Sequence, residues 1–225
     1  MSDQIVSCLK ELEQEAKFLA CYEKYALSWD SSIDLGSSGE TSSSGGTFPS
    51  DEVCSGAVRI EELDLTLPSA DLQAILAGCT QICVIASTLG VAYERYAKRV
   101  MSMDMSHGVV LDAAASAYLE CLTDDFTEEL GLGPHTFRYA PGYGDLDVTY
   151  NVPLMQAIRA DKRIGITHTG GGLFLPQKSM LGLVGFAPAA ASGAGDAFPV
   201  DRCEHCIKRE SCEFRAAGTR CFART

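Results

Sequence analysis

From Leu72 to Tyr93 the chain runs for 22 residues without a charged side chain, and a stretch that apolar must be covered on nearly every side. It is long enough to raise the question of a membrane span. However, Gln73, Thr80, Gln81, Ser87 and Thr88 interrupt it, and Gly78 and Gly90 divide it. Leu72, Ile75, Leu76 and Cys79 recur at helical spacing behind Ser69, whose hydroxyl suits a helix N-cap. Ile82 to Ala86 is a short apolar run with β-branched members, the pattern of a buried strand. The expectation is a buried helix followed by a buried strand.

The flanking sequence extends this core. Ile5, Leu9, Leu12, Ala16 and Leu19 recur every three or four residues, which predicts an amphipathic N-terminal helix over residues 1–30, with Cys8 and Cys21 as small core hydrophobes. Residues 31–57 are rich in Ser and Gly and read as a linker or loop. Val58 to Leu67 reads as a strand or extended entry. Helices are expected from Gly90 to about Met103 and from Val109 to Leu130, the second stopped by Gly131 and Gly133. A strand from Thr136, a Pro-Gly turn and a short helix over Pro153–Ala160 follow. Arg163–Thr169 and Ser179–Phe186 read as two β-like runs. Helices segregated before strands predict an α+β core over residues 58–188, with a mainly antiparallel sheet from the second half. Residues 189–225 read as a linker and a Cys-rich tail.

Thirty acidic residues against 18 basic ones give a net charge of −12, which repels phosphate backbones and argues against nucleic acid as a partner. The opening Met-Ser-Asp-Gln carries no basic and apolar leader pattern, so the cytoplasm is the expected compartment.

Four of the ten cysteines, Cys203, Cys206, Cys212 and Cys221, fall within nineteen positions. Two thiolates at two-residue spacing can converge on one metal, and two more complete a four-thiolate site for zinc or an iron–sulfur cluster. His205 is an alternative fourth ligand, and free or redox-active thiols are the other reading. Cys79, Cys83 and Cys121 stand in apolar stretches and are expected in the core.

The second constellation is Arg138-Tyr-Ala140-Pro141-Gly142-Tyr143-Gly144-Asp145. Arg can fork onto a carboxylate, Pro-Gly sets a turn that lets a ligand approach the backbone, and a Tyr face attracts a cation. Such groups suit a ligand with a carboxylate and a positive centre; a flanked Pro-Gly turn is also ordinary punctuation. Asp112 and Glu120, eight apart on a predicted helix, read as ligand contacts or solvated carboxylates. His107 and His135 read as capping or surface residues, and Lys178 as covering a strand edge or meeting an acidic partner. Gly170-Gly171-Gly172 lacks the Lys-Ser/Thr of a P-loop.

Arg138 to Tyr143, read as Arg-x-x-x-Gly-Tyr, resembles the S-adenosylmethionine-binding motif in the activation domain of cobalamin-dependent methionine synthase. Ala86-Ser-Thr-Leu-Gly90 resembles that family's Thr-x-Gly element, Leu111 to Ser116 its following helix, and Thr169 with Pro176-Gln-Lys-Ser179 its last strand pair. The resemblance runs in order from about Ile60 to Pro188. It departs where Gly144-Asp145 replaces a Pro, and where Gly170, after His168-Thr169, replaces a Glu. Relatives that stand free of the synthase also end in a short Cys cluster.

The resemblance implies an S-adenosylmethionine-binding subunit that supports reductive methylation of cob(II)alamin. Arg138 would hold the methionyl carboxylate, Gly142 would admit the ligand, and Tyr143 would line the pocket with Ala140 and Pro141. No Asp-x-His-x-x-Gly cobalamin motif occurs in this sequence. The corrinoid is therefore expected on a partner: a methionine synthase core or another corrinoid methyltransferase. The alternatives are an iron–sulfur electron-transfer or interaction module for a corrinoid protein, and a module that senses S-adenosylmethionine.

Overall fold

The computed structural model describes residues 2–28, 56–187, 203 and 209–219. The Ser/Gly-rich tract apart from its last two residues, Trp29, most of the 189–225 segment, His205, Cys206 and Cys221 lie outside the described residues. The elements run in the order α1 (Ser2–Glu15), β1 (Leu19–Ala26), β2 (Ala57–Ile60), β3 (Leu65–Pro68), α2 (Ala70–Ile75), β4 (Gln81–Thr88), α3 (Gly90–Met103) and α4 (Met105–Glu129). Then come α5 (Asn151–Ala157), α6 (Ala160–Ile164), β5 (Thr167–His168), β6 (Phe174–Leu175), β7 (Ser179–Phe186) and α7 (Glu213–Ala216).

The uncharged stretch resolves as read: α2, capped by Ser69 Oγ accepting from Leu72 N–H at 2.9 Å, then β4, buried along nearly its whole length. Antiparallel partners flank β4 on both edges, β1 pairing Leu19 with Thr88 through Ala26 with Gln81, and β7 pairing Gln81 with Phe186 through Thr88 with Ser179. No described helix is long and apolar enough to cross a membrane.

Alternation along the strands sorts the core into two faces. Ile82, Val84, Ala86, Leu181 and Leu183 face a large apolar cluster with α2, α5, α6 and the β2–β3 hairpin. Cys83, Ile85, Val184 and Phe186 face the C-terminal half of α4 through Phe126, Leu130 and Leu132. Cys8 and Leu12 of α1, Leu89, Tyr93 of α3 and Leu111, Ala115 and Leu119 of α4 close a third cluster among the helices.

The α+β class and antiparallel sheet stand, yet two of the three strands of this sheet precede residue 90. The N-terminal helix is shorter than its spacing predicts. It ends at Glu15, and Leu19–Ala26 is a strand because pairing with β4 outweighs a weak helical stripe. The stripe itself is rotated: Cys8 and Leu12 are buried, while Ile5 and Leu9 are 43% and 40% exposed. Cys21 is core, but on a strand. Arg163 and Ile164 belong to α6 rather than to a strand, and only Thr167–His168 of that run is extended. The expected strand at Thr136 is reduced to bridges from His135 to Phe186 and Tyr139 to Leu183.

Candidate functional site

The segment His135–Tyr139 lies along the outer edge of β7, where Tyr139 and Leu183 exchange backbone hydrogen bonds of 2.9 and 2.6 Å. Consecutive side chains of an extended chain point to opposite faces. Tyr139 therefore enters the large apolar cluster, while Arg138 turns to the α4 side. Burial pushes the Tyr139 phenol up to about 12; it stays protonated and donates to the Tyr143 carbonyl at 2.7 Å. That bond closes a tight turn. Gly142 takes φ +93°, a conformation that costs glycine little, and its N–H donates to Leu146 O at 2.7 Å while Tyr143 N–H donates to Ala140 O at 3.0 Å. Pro141 is buried beneath the turn and Gly142 is exposed. Tyr143 is 56% exposed, its ring 6.4 Å from that of Tyr139.

The departure at Gly144-Asp145 has a structural reason. A Cβ on Gly144 would stand 2.2 Å from Asp71 Oδ2 and 2.5 Å from Tyr139 Oη. Asp145 accepts from the Ser69 hydroxyl and, at 2.7 Å, from Ala70 N–H, so the turn is fastened to the start of α2. On its other side a Cβ on Gly142 would lie 3.6 Å from Val148 Cβ and one on Gly172 2.7 Å from Val148 O, and Asn151 Nδ2 donates to Gly172 O at 3.1 Å. The triple-glycine run is thus a tight β5–β6 connection lying against the turn, with Thr169 N–H donating to Leu173 O at 2.8 Å.

Arg138 is held from three directions. Its side chain is 6% exposed; Nη1 donates to Asp124 Oδ1 at 2.6 Å and Nη2 to Glu120 Oε2. Below it lies Gly182 of β7, where a Cβ would meet Arg138 Cγ at 2.2 Å and Cδ at 2.3 Å. Asp112, Ser116, Glu120 and Asp124 stand four residues apart and so form one stripe of α4. The upper half of that stripe receives Lys178, whose Nζ lies 2.9 Å from Asp112 Oδ1 and 2.8 Å from Ser116 Oγ. The fold thus gathers Arg138 with Glu120, and Ala140 through Tyr143 with one another, but sends Arg138 and Tyr139 to opposite sides of the sheet edge. Sequence reasoning singled out Glu120 and missed Asp124; its signal was the repeated four-residue step.

The remaining candidates have structural roles. Cys79 and Cys83 are buried, which pushes their thiols up to about 11 and about 12 and keeps them unreactive. Cys121, expected in the core, is exposed, because it sits off the buried stripe of α4. His107 is neither cap nor open surface: its Nε2 lies 3.0 and 3.1 Å from the two Glu11 oxygens, linking α4 to α1. His135 Nδ1 lies 2.8 Å from Gly133 O. Of the tail cysteines only Cys203 and Cys212 are among the described residues, and no group of three or more His, Cys, Asp or Glu suited to a metal occurs among the described residues.

No protein-family model and no curated protein matches the chain. Among solved structures, the crystal structure of the MetH reactivation domain bound to AdoHcy is similar in fold, with a TM-score of 0.57 at 12% identity over 96% of this chain and 71% of that one. At that identity the likeness establishes the α+β fold.

Proposed function

We propose that this chain binds S-adenosylmethionine at the Ala140–Tyr143 turn and the adjoining Arg138 cluster, and presents it to a corrinoid carried by a separate protein. The observation that carries the reading is the Arg-x-x-x-Gly-Tyr turn, built with Gly142 at φ +93° and Tyr143 exposed, in a fold shared with a reactivation domain whose crystal structure holds AdoHcy. The corrinoid is the substrate. Reduced by an external one-electron donor, it supplies the cobalt nucleophile that takes the methyl group as the C–S bond breaks, leaving S-adenosylhomocysteine.

The chain's own work is binding and orientation. Gly142 admits the ligand to the backbone, and Pro141, Ala140 and the Tyr139 hydrogen bond fix the turn. Tyr143 offers a half-open aromatic face to the sulfonium. The partner is a methionine synthase core or another corrinoid methyltransferase. The tail belongs to the same reading, with Cys203, Cys206, Cys212 and Cys221 as a four-thiolate site for zinc or an iron–sulfur cluster. It rests on their spacing alone. An absorption band bleached by dithionite marks the cluster, and stoichiometric zinc in a colourless protein marks the metal.

The first test is calorimetric titration of S-adenosylmethionine into the wild type and Tyr143→Ala, a change on an exposed ring that leaves the core untouched. Saturable binding, weakened about tenfold by loss of the cation–π contact, is the expected result. A folded wild type that binds no S-adenosylmethionine overturns the reading.

A further inference from the structure

The apolar side chains left exposed near the turn are not scattered. From Ile164 to Gln177, a stretch that contains the β5–β6 hairpin, the chain carries no Asp, Glu, Lys or Arg, although its net charge is −12. Leu173 and Leu175 of that hairpin are 63% and 41% exposed, and Tyr143 of the turn is exposed as well. One end of the hairpin lies against the turn, since a Cβ on Gly172 would stand 2.7 Å from Val148 O. Its other end reaches α3, where Gln177 N–H donates to Glu94 Oε2 at 3.2 Å. Five residues separate Gly172 from Gln177, so the turn and the start of α3 are joined by a neutral span of at most about 18 Å.

At the α3 end of that span the surface turns positive. Val91, Arg95, Arg99 and Met103 are exposed and stand four residues apart on α3, so they form one outward stripe. Lys98 beside them is paired with Glu94 at 2.6 Å. Arg99 lies over the Tyr96 ring at 5.3 Å, and neither Arg95 nor Arg99 has an acidic partner among the described residues. The acids along the way are already engaged: Glu94 by Lys98 and Gln177, Asp112 by Lys178, and Asp145 by the Ser69 hydroxyl and Ala70 N–H. Two like charges one helical turn apart repel, and an acidic partner surface would relieve them.

We propose that the β5–β6 hairpin and this face of α3 are the surface on which the corrinoid-carrying protein docks. Tyr143, Leu173 and Leu175 form its apolar centre, and Arg95 and Arg99 form a rim that meets carboxylates of the partner. The inference rests on the S-adenosylmethionine reading and adds where the partner sits. Methyl transfer brings the reacting atoms to about 3–3.5 Å, so a protein-borne corrinoid is methylated only if its carrier covers the surface around Tyr143. A standard interface takes about 800 Å² of each partner, a patch roughly 30 Å across, which reaches from the turn along the hairpin to α3. A centre poor in charge inside a polar rim is the usual build of such a patch, and the unpaired cations call for an acidic rim on the carrier.

The test measures docking of the full chain on a cobalamin-loaded methionine synthase core that lacks an activation domain. Biolayer interferometry is run at low and at physiological ionic strength with S-adenosylmethionine present, and circular dichroism confirms the fold of each variant. The variants are Arg95→Glu/Arg99→Glu, Leu173→Ser/Leu175→Ser and, as a control with the same change in net charge as the first, Arg159→Glu/Lys162→Glu. Those two control residues are exposed at α6, whose Arg163 donates to Tyr22 O of β1, the sheet edge opposite β7. Wild-type docking should weaken with salt. The Arg95/Arg99 variant should lose about tenfold at low salt, mostly in association rate, together with most of the salt dependence. The Leu173/Leu175 variant should lose about tenfold through faster dissociation and keep the salt dependence. The control should dock as wild type does, and calorimetric titration of S-adenosylmethionine should give wild-type affinity for every variant. Equal losses in the arginine variant and the control overturn the inference, since they mark attraction to overall charge rather than to this face. A wild type that binds S-adenosylmethionine but does not dock, or docking unchanged in both surface variants, overturns the inference and spares the binding reading; absence of S-adenosylmethionine binding ends both.

Discussion

Gly182 and Gly185 stand three residues apart on β7 and face opposite sides of the sheet. A side chain at either would meet a close neighbour, a different one at each. At Gly185 a Cβ would collide with Leu76 Cδ2 at 2.3 Å and Cys79 Sγ at 2.7 Å, the end of α2 packed into the large apolar cluster. At Gly182 it would collide with the methylene shaft of Arg138. One glycine admits a close-packed helix, and the other admits a buried arginine with its two acids. The same strand therefore supports the large apolar cluster on one face and, on the other, a smaller apolar cluster beside the buried Arg138. On the Arg138 side Ser87 and Thr123 share a hydrogen bond of 2.7 Å, and Thr123 Oγ1 donates to Leu119 O at 2.7 Å. On the other face, beside the large apolar cluster, Thr88 Oγ1 accepts from Ser179 at 2.8 Å. Buried polar groups generally need a partner, and Ser87 of β4 with Thr123 of α4 supplies such a pair on the side where Arg138 lies.

The sharpest way to break the comparison is to add one methyl to each glycine. Gly185→Ala overpacks an apolar site whose neighbours, Leu76 and Cys79, are 0% and 1% exposed. It should cost about 2–3 kcal/mol, the upper part of the range for overpacking, seen as a lower urea midpoint with ligand affinity unchanged in the folded fraction. Gly182→Ala should cost less, about 1–2 kcal/mol, because a flexible shaft can shift, but it should weaken S-adenosylmethionine binding by disturbing the fork. Equal stability losses with equal affinities would mean that the two faces do not differ in kind.

A smaller effect tests the Arg138 side alone. With Thr123 donating to Leu119, Ser87 must donate to Thr123. Thr123→Val keeps the shape and strands a Ser87 hydroxyl that is 0% exposed. The expected loss is about 1–2 kcal/mol, and the double variant Ser87→Ala/Thr123→Val should recover part of it, since removing both partners leaves nothing unpaired. Strictly additive losses in urea titrations would remove the hydrogen bond from the account.

How much of this was legible follows the same division. The apolar periods placed α3 and β7 nearly to the residue, and α2 and β4 to within a few residues, because burial writes itself into spacing. The Ser69 cap was legible for a local reason, a hydroxyl three residues before the N–H it accepts from. The strand β1 was not, since its extended form depends on pairing with β4 sixty residues later and its own apolar spacing fits a short continuation of the helix. The turn at Gly142 was visible as Pro-Gly. The fate of Arg138 was not, because nothing near it in sequence says that Gly182, 44 positions on, leaves room for its shaft, or that two acids of α4 will take its nitrogens. Side-chain type told which chemistry was available, and only packing told which partner used it.

The smallest expected effect lies at the contact of α1 with α3 and α4, and asks whether polar pairing matters beyond the sheet. Burial works to raise the Glu11 carboxyl. The hydrogen bonds from Tyr96, at 2.7 Å, and from His107 outweigh it and hold the group below its ordinary value. A carboxyl with a lowered folded-state value contributes stability above the ordinary glutamate range of about 4.3 and loses it as pH falls through the folded value. Glu11→Gln should therefore be less stable than wild type at pH 6, by about 1 kcal/mol or less for so open a pair, and the gap should narrow as the pH is lowered toward 3. Urea midpoints of the two proteins across that range give the comparison directly. Parallel curves would assign the docking of α1 to the apolar contacts of Cys8 and Leu12.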